Sequence, residues 1–284
     1  MKVLILGAGD LGTEVGLRLI SAGHHVTAWR RRAELLPASL ASASVDLGDA
    51  TVELPAIDPD TELVVFTPAA SERSAEAYRR TYLMAAQRIL AALDRDHVRL
   101  GRFLLVSSTA VYGDAAGGWV DEKTPIAPPS PSARILAETE AVVRQYSGVP
   151  VVLRLAGIYG PGRNHLIEQV KNGAARTPNR TFWTNRIHRD DAAAALVHLG
   201  TMPHAPEPLY LGVDHEPADL GLVHGFLAQQ LGVEAPAHGE REIKRGGDRR
   251  ISNSRLLSSG FRFAFPTFRE GYARVLAGDG IRHP

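Results

Sequence analysis

Along this chain, apolar residues come in short runs separated by longer stretches in which they recur every three or four positions. The runs are Val3 to Leu6, Val26 to Trp29, Leu63 to Phe66 and Phe103 to Val106. Runs of that length with little polar alternation predict strands buried on both faces of a parallel sheet. Leu11 to Ala22 and Ala75 to Leu93 have the spacing of amphipathic helices. Strand and helix therefore alternate as βα units, which predicts an α/β protein with a doubly wound parallel sheet and a ligand outside the carboxyl ends of its strands. A helix over Ser132 to Gln145, a strand over Val149 to Leu155, a helix over Asp190 to Leu199 and a strand over Leu209 to Val213 continue the rhythm.

The first run breaks into Gly7-Ala8-Gly9-Asp10-Leu11-Gly12 and passes directly into the first helical stretch. In a G-x-G-x-x-G loop each glycine has its own task. Gly7 allows the tight turn, Gly9 lets backbone approach a pyrophosphate, and Gly12 lets helix and strand pack closely. The N–H groups of the helix start, at Asp10 and Leu11, would bind the phosphates with help from the helix dipole. Glycines so spaced also occur in ordinary turns, but the strand–turn–helix setting predicts a dinucleotide site and a Rossmann-type sheet.

The second run ends at Trp29 and is followed by Arg30-Arg31-Arg32. An acidic residue there would bind a ribose 2′-hydroxyl, whereas a guanidinium suits a 2′-phosphate and stacks on adenine. A solvated charge run is the plain alternative. The position at the end of the second strand assigns Arg30 and Arg31 to the cofactor and favours NADP(H) over NAD(H). Asp46 and Leu47, after the next short strand, are expected beside the adenine. Thr67, Pro68 and Ala69, where the fourth strand ends, are expected against the middle of the cofactor.

The rhythm fails over Pro161 to Arg186 and Asp214 to Pro284, where Gly, Pro and Asn interrupt short irregular pieces. The expected division is an NADP-binding domain of residues 1–160 plus about 186–214, and a small C-terminal substrate-binding lobe of residues 161–185 plus 215–284. Leu220 to Leu231 is an amphipathic helix of that lobe. Phe261, Phe263, Phe265 and Phe268, mixed with arginines, read as lobe packing rather than a surface for stacking bases. Pro125 to Pro131 reads as an ordered loop, because it joins two parts of one sheet.

Composition narrows the chemistry further. The 284 residues suffice for a sizeable core, as one large domain or a domain with a lobe. Basic and acidic residues number 32 and 31, so bulk charge attracts neither nucleic acid nor membrane. Only four of the basic residues are lysines. The absence of cysteine excludes disulfides, thiolate nucleophiles and cysteine-ligated metals. No H-E-x-x-H or G-x-S-x-G occurs, which argues against a metal site and a hydrolase elbow. One short apolar run precedes the first polar loop without an export cleavage pattern, and no later run approaches the ~20 residues of a membrane span. A soluble, unprocessed cytoplasmic protein with a small-molecule substrate is expected.

The fifth strand leads into Ser107-Ser108-Thr109-Ala110-Val111-Tyr112-Gly113. With Arg154-Leu155-Ala156-Gly157-Ile158-Tyr159-Gly160-Pro161 and Ile187-His188-Arg189-Asp190-Asp191, this segment resembles the extended short-chain dehydrogenase/reductase superfamily, which includes sugar-nucleotide epimerases and dehydratases. The resemblance implies that Ser108 hydrogen-bonds the reacting oxygen, that Ser107 borders the cofactor, and that backbone from Leu155 through Ala156 and Gly157 to Ile158 meets the carboxamide and substrate. It also implies a Tyr-x-x-x-Lys proton-transfer pair, and here the chain departs from the pattern. Register places Ser132 and Leu136 at those positions, and no tyrosine in the chain has lysine four residues on. A serine hydroxyl is too weak an acid to replace a tyrosine whose pKa a nearby cation lowers.

The departure, together with Ser132-Ala133-Arg134-Ile135-Leu136, resembles the atypical YeeZ-like branch of that superfamily. Tyr112, Ser108, Thr109 and Arg134 are the nearest polar candidates for chemistry. Arg134 stays protonated and would orient an anionic substrate or polarise a carbonyl. For Tyr112 the competing role is packing beneath the nucleotide. His188 is read as tying the second lobe to the sheet, and His24 and His25 as loop residues. The leading expectation is an NADP(H)-dependent oxidoreductase acting on a small carbonyl or sugar-like substrate. A non-catalytic dinucleotide sensor competes with it, and a sugar-nucleotide epimerase or dehydratase comes third.

Overall fold

The computed structural model describes residues 1–239 and 247–284. Its centre is a seven-stranded sheet of β1 (Lys2–Leu6), β2 (His25–Arg30), β3 (Ala41–Ser44), β4 (Thr61–Phe66), β5 (Arg102–Ser108), β7 (Pro150–Leu155) and β11 (Leu209–Gly212). The strands lie in the order β11-β7-β5-β4-β1-β2-β3, and every neighbouring pair is parallel. The chain leaves β1 toward β2 and β3, then returns to the other side at β4. Between β1 and β4 the winding reverses, and such a switch point opens a crevice at the carboxyl ends of the strands. This is the expected α/β Rossmann sheet.

Period-two alternation builds the two layers. In β1, Val3 and Ile5 point into a cluster with Leu11, Val15 and Leu19 of α1 (Asp10–Ser21) and Leu196 and Leu199 of α6 (Arg189–Thr201). Leu4 and Leu6 point the other way, to Ile89 and Leu93 of α3 (Ala85–Arg95) and Val143 of α4 (Pro131–Val143). The helix expected over Ala75 to Leu93 is α2 (Ala75–Tyr78) joined to α3 by one wide π-turn, Arg79–Met84. Tyr78 and Tyr82 stack with ring centroids 5.1 Å apart within it. Local chemistry sets the helix starts. Ser130 accepts the Ala133 N–H ahead of Pro131 in α4, matching the preference for a hydroxyl at the cap and proline in the first turn.

Short elements occupy the rest of the chain: β6 (Trp119–Val120), β8 (Gly157–Tyr159), α5 (His165–Lys171), β9 (Trp183–Thr184), β10 (Arg186–His188), β12 (Ala218–Asp219), α7 (Leu220–Leu231), β13 (Arg250–Ile251), α8 (Ser254–Ser258) and α9 (Phe268–Leu276). α7 spans the residues expected from its periodicity. It starts on Asp219, which accepts the Gly221 N–H, and ends at Gly232 with φ +67°, a left-handed cap that favours glycine. Helices α5, α7 and α9 share a separate apolar cluster of Ile167, Val170, Val223, Leu227, Phe268 and Tyr272. Leu256 and Phe261, with Phe263 packed beside them, join instead the core cluster of α1 and α6. Phe265 lies on His188, with ring centroids 3.9 Å apart.

Candidate functional site

Strand register places the sequence-derived residues on one rim. Leu6 pairs with Trp29 on one side and Phe66 on the other. Phe66 pairs with Leu105, Ser108 with Leu155, and Leu155 with Gly212. Residues that follow these strands therefore emerge together, at the end where the winding reverses. A cavity of about 630 Å³ opens at the opposite end of the sheet, beside Lys2, His24, His25 and Asp58. That end holds none of the candidate residues, and Lys2 is already paired with Asp58 and Asp60.

The glycine loop has the form that a phosphate needs. Gly7 has φ +79°, and a Cβ there would sit 2.9 Å from the Thr67 carbonyl oxygen. A Cβ on Gly12 would sit 2.6 Å from Thr67 Oγ1, so α1 packs against the end of β4 only without one. A Cβ on Gly9 would meet nothing nearer than the Gly7 oxygen at 3.9 Å, which leaves the space above it open. Thr67 Oγ1 donates to the Gly7 carbonyl at 3.0 Å and braces the turn. No side chain caps α1. The N–H groups of Asp10, Leu11 and Gly12 point out of its first turn without intrahelical partners, as the dinucleotide pyrophosphate requires.

Farther along the rim, Arg30 is half-buried and Arg31 exposed. Burial, followed by the Arg32 and Arg31 charges, lowers the Arg30 pKa. A crowded cation of this kind is stabilised by a dianion. Asp46 accepts the Gly48 N–H, and the Leu47 carbonyl accepts from Arg88. Pro68 is buried and Ala69 exposed at the end of β4. Leu155 and Ala156 are buried, whereas Gly157 is exposed and Ile158 half-buried beside them.

Under the chemistry segment runs a buried network that the sequence reading did not assemble. Ser107 Oγ donates to Glu140 at 2.6 Å, so its hydroxyl faces the interior. Arg154 donates to both Glu140 oxygens and, through Nη1 at 2.7 Å, to the Tyr112 hydroxyl. That hydroxyl in turn donates to the Asp121 carbonyl. Burial pushes the Tyr112 phenol pKa up against the pull of Arg154. Arg249 donates to the Thr109 and Gly113 carbonyls. Ser107 and Arg154 stood in the quoted motifs, but nothing in one sequence pairs them with Glu140 or brings Arg249 from the late part of the chain.

Ser108 is half-buried, and its Oγ accepts the Ala110 N–H at 3.2 Å. Accepting that bond leaves the serine hydroxyl proton free to donate to a second partner. Thr109 is buried, and Arg134 is exposed on α4. Ser132 is half-buried, and Leu136 lies in an apolar cluster with Val111, Tyr112 and Val213. His188 caps α6 by accepting the Asp190 N–H on Nδ1. Burial pushes its pKa down to about 4, with Asp190 opposing. Among the described residues no cluster of His, Asp and Glu has the form of a metal site, and no helix is long and apolar enough to cross a membrane.

Comparison with known proteins gives this geometry a family. The chain is 29% identical to protein YeeZ of Escherichia coli K12 over 277 residues, 93% of this chain and 96% of YeeZ. It is 33% identical to a solved structure from Methylobacillus flagellatus assigned to the NAD-dependent epimerases/dehydratases, with a TM-score of 0.79 and 98% of both chains covered. Two more distant structures share the fold. Human epimerase family protein SDR39U1 with NADPH matches at 19% identity and TM-score 0.79, covering 98% of this chain and 99% of that one. UDP-glucuronic acid 4-epimerase of Bacillus cereus, with UDP-glucuronic acid and NAD, matches at 18% and 0.80, covering 98% of each. The model of the NAD dependent epimerase/dehydratase family matches residues 3–211, from β1 through β11. The rim of glycine loop, Arg30 and Ser108 lies within that span, and the chain belongs to this NAD(P)-binding family.

Proposed function

We propose that this protein is an NADP(H)-dependent oxidoreductase acting on a small carbonyl or sugar-like compound beside Ser108. The observation that carries the reading is the common rim. It puts an uncapped, open glycine loop, a crowded arginine and a half-buried serine at the ends of β1, β2 and β5 of one parallel sheet. The loop amides would hold the pyrophosphate and Arg30, with Arg31, the 2′-phosphate. Backbone from Leu155 to Ile158 would border the nicotinamide. A bound nicotinamide supplies the hydride chemistry. Ser108 contributes a hydrogen bond to the reacting oxygen, Arg134 a positive charge for an anionic substrate, and Tyr112 holds the loop from beneath. Both NAD and NADPH occur on this fold, so the preference for NADP(H) rests on Arg30 and Arg31.

One observation favours a second reading, a dinucleotide sensor without turnover. Leu136, at the position where the resemblance expects a lysine, is packed among apolar side chains and supplies no cation. Fluorescence titration and a carbonyl screen separate these readings. NADPH should bind at least about tenfold more tightly than NADH, and Arg30→Glu should abolish that preference. NADPH oxidation with some carbonyl compound should fall about 100-fold in Ser108→Ala, as for loss of one donor to a developing oxyanion. Equal binding of the two cofactors removes the NADP(H) assignment, and silence across a broad carbonyl panel favours the sensor.

A further inference from the structure

The last residues of the chain lie across the proposed cofactor site. Beyond α9, Gly278 with φ +81° and Gly280 with φ +90° turn the backbone, and the chain then runs along the rim from the start of α1 to the end of β2. Every step is held by a polar contact. The Ile281 carbonyl accepts from Arg189 Nη2 at 2.8 Å, and Arg282 donates to the Gly162 carbonyl at 2.7 Å. The His283 N–H donates to Asp10 at 3.1 Å, and its ring meets Glu14 at 2.8 Å. Finally, Arg30 Nη1 donates to the Pro284 carbonyl at 2.9 Å. Asp10 opens the helix whose amides suit the pyrophosphate, and Arg30 is the guanidinium assigned to the 2′-phosphate. Residues 281–284 thus span the adenosine half of the site.

No large apolar side chain of this segment is buried. Ile281 is 74% exposed, and Arg282 and Pro284 are exposed as well. Only the His283 ring, 12% exposed beside Glu14, is tucked in, and a segment with so little buried side chain belongs to the less stable parts of a fold. A phosphate dianion, with more charge and more acceptor oxygens, is also a stronger partner for Arg30 than the single Pro284 oxygen it now meets.

We propose that residues 281–284 are a self-blocking strap, which a 2′-phosphorylated dinucleotide must displace from Arg30 to bind. The strap rests on the dinucleotide reading above. It lowers apparent affinity by the fraction of molecules in which it is open, and cofactor binding releases it. The chain therefore carries a signal of cofactor occupancy at its surface, whether or not it turns substrate over.

Two variants of the full protein test the strap, one ending after Gly280 and one with His283→Ala, which removes only the ring contact to Glu14. NADPH and the fragment adenosine 2′,5′-bisphosphate are titrated by calorimetry into each. Amide exchange of residues 279–284 is followed in the unaltered protein with and without NADPH. The shortened chain should bind both probes about tenfold more tightly, the factor that one competing hydrogen bond commands. His283→Ala should move the same way by a smaller factor, and NADPH should speed exchange across 281–284. Unchanged or weaker binding by the shortened chain overturns the strap and leaves the dinucleotide reading standing, as does slower exchange with NADPH. Failure of both the unaltered and the shortened chain to bind NADPH overturns the two together.

Discussion

Glu140 and Arg154 show what one residue can decide here. Both side chains are nearly inaccessible, at 3% and 4% exposure, and their oxygen–nitrogen distance is 2.6 Å. Removing one partner of such a pair strands a buried charge, whereas replacing both with apolar groups is often neutral. Glu140→Ala should therefore cost about 3–5 kcal/mol in urea unfolding, and Glu140→Leu combined with Arg154→Met should recover most of that loss. Asp214 is a different buried acid. One of its oxygens has no hydrogen-bond partner, and burial pushes its pKa up to about 8 against the attraction of Arg186. Between the ordinary carboxyl range and pH 8 the folded protein keeps this proton while the unfolded chain loses it. Its contribution to stability is complete at low pH and declines as pH rises through that window, by up to about 1.4 kcal/mol per pH unit. Asp214→Asn should flatten that decline in urea melts compared at pH 5 and pH 8.5. An equal slope in both proteins would contradict the shift.

The close seating of α1 on the end of β4 is decided between elements. The 2.6 Å approach of a Gly12 Cβ to Thr67 Oγ1 makes Gly12→Ala an overpacking change, worth about 1–3 kcal/mol. The helix start would also shift away from the turn that aims its amides. Gly12→Ala should lower the melting temperature and weaken NADPH binding in the same preparation, and Thr67→Ala in that background should restore part of both. Most elements were legible in the chain, because β1, β2, β4 and β5 carry apolar residues on both faces and α1 and α7 carry a stripe. The π-turn at Arg79–Met84 was not, since apolar residues on either side keep roughly helical spacing through it. The first, second and fourth strands also locate the cofactor candidates, because a parallel sheet puts the residues after each strand on one edge.

For the molecule as a whole, binding to the folded state alone provides a check on the rim. NADPH at about 100 times its Kd should stabilise the protein by about 2.7 kcal/mol, read as a concentration-dependent rise in melting temperature. The family, the sheet and the residues along its rim were readable in the sequence, since strand–turn–helix junctions and the Ser107–Gly113 segment are local patterns. Three-dimensional packing decided what those residues face. It turned Ser107 inward to Glu140, tied the Tyr112 hydroxyl to Arg154, brought Arg249 under Thr109, and laid Pro284 against Arg30 across 254 residues of chain. Local sequence determines backbone propensity and apolar periodicity over a few residues. Partners so far apart are chosen by burial and charge compensation, which exist only once the chain has closed on itself.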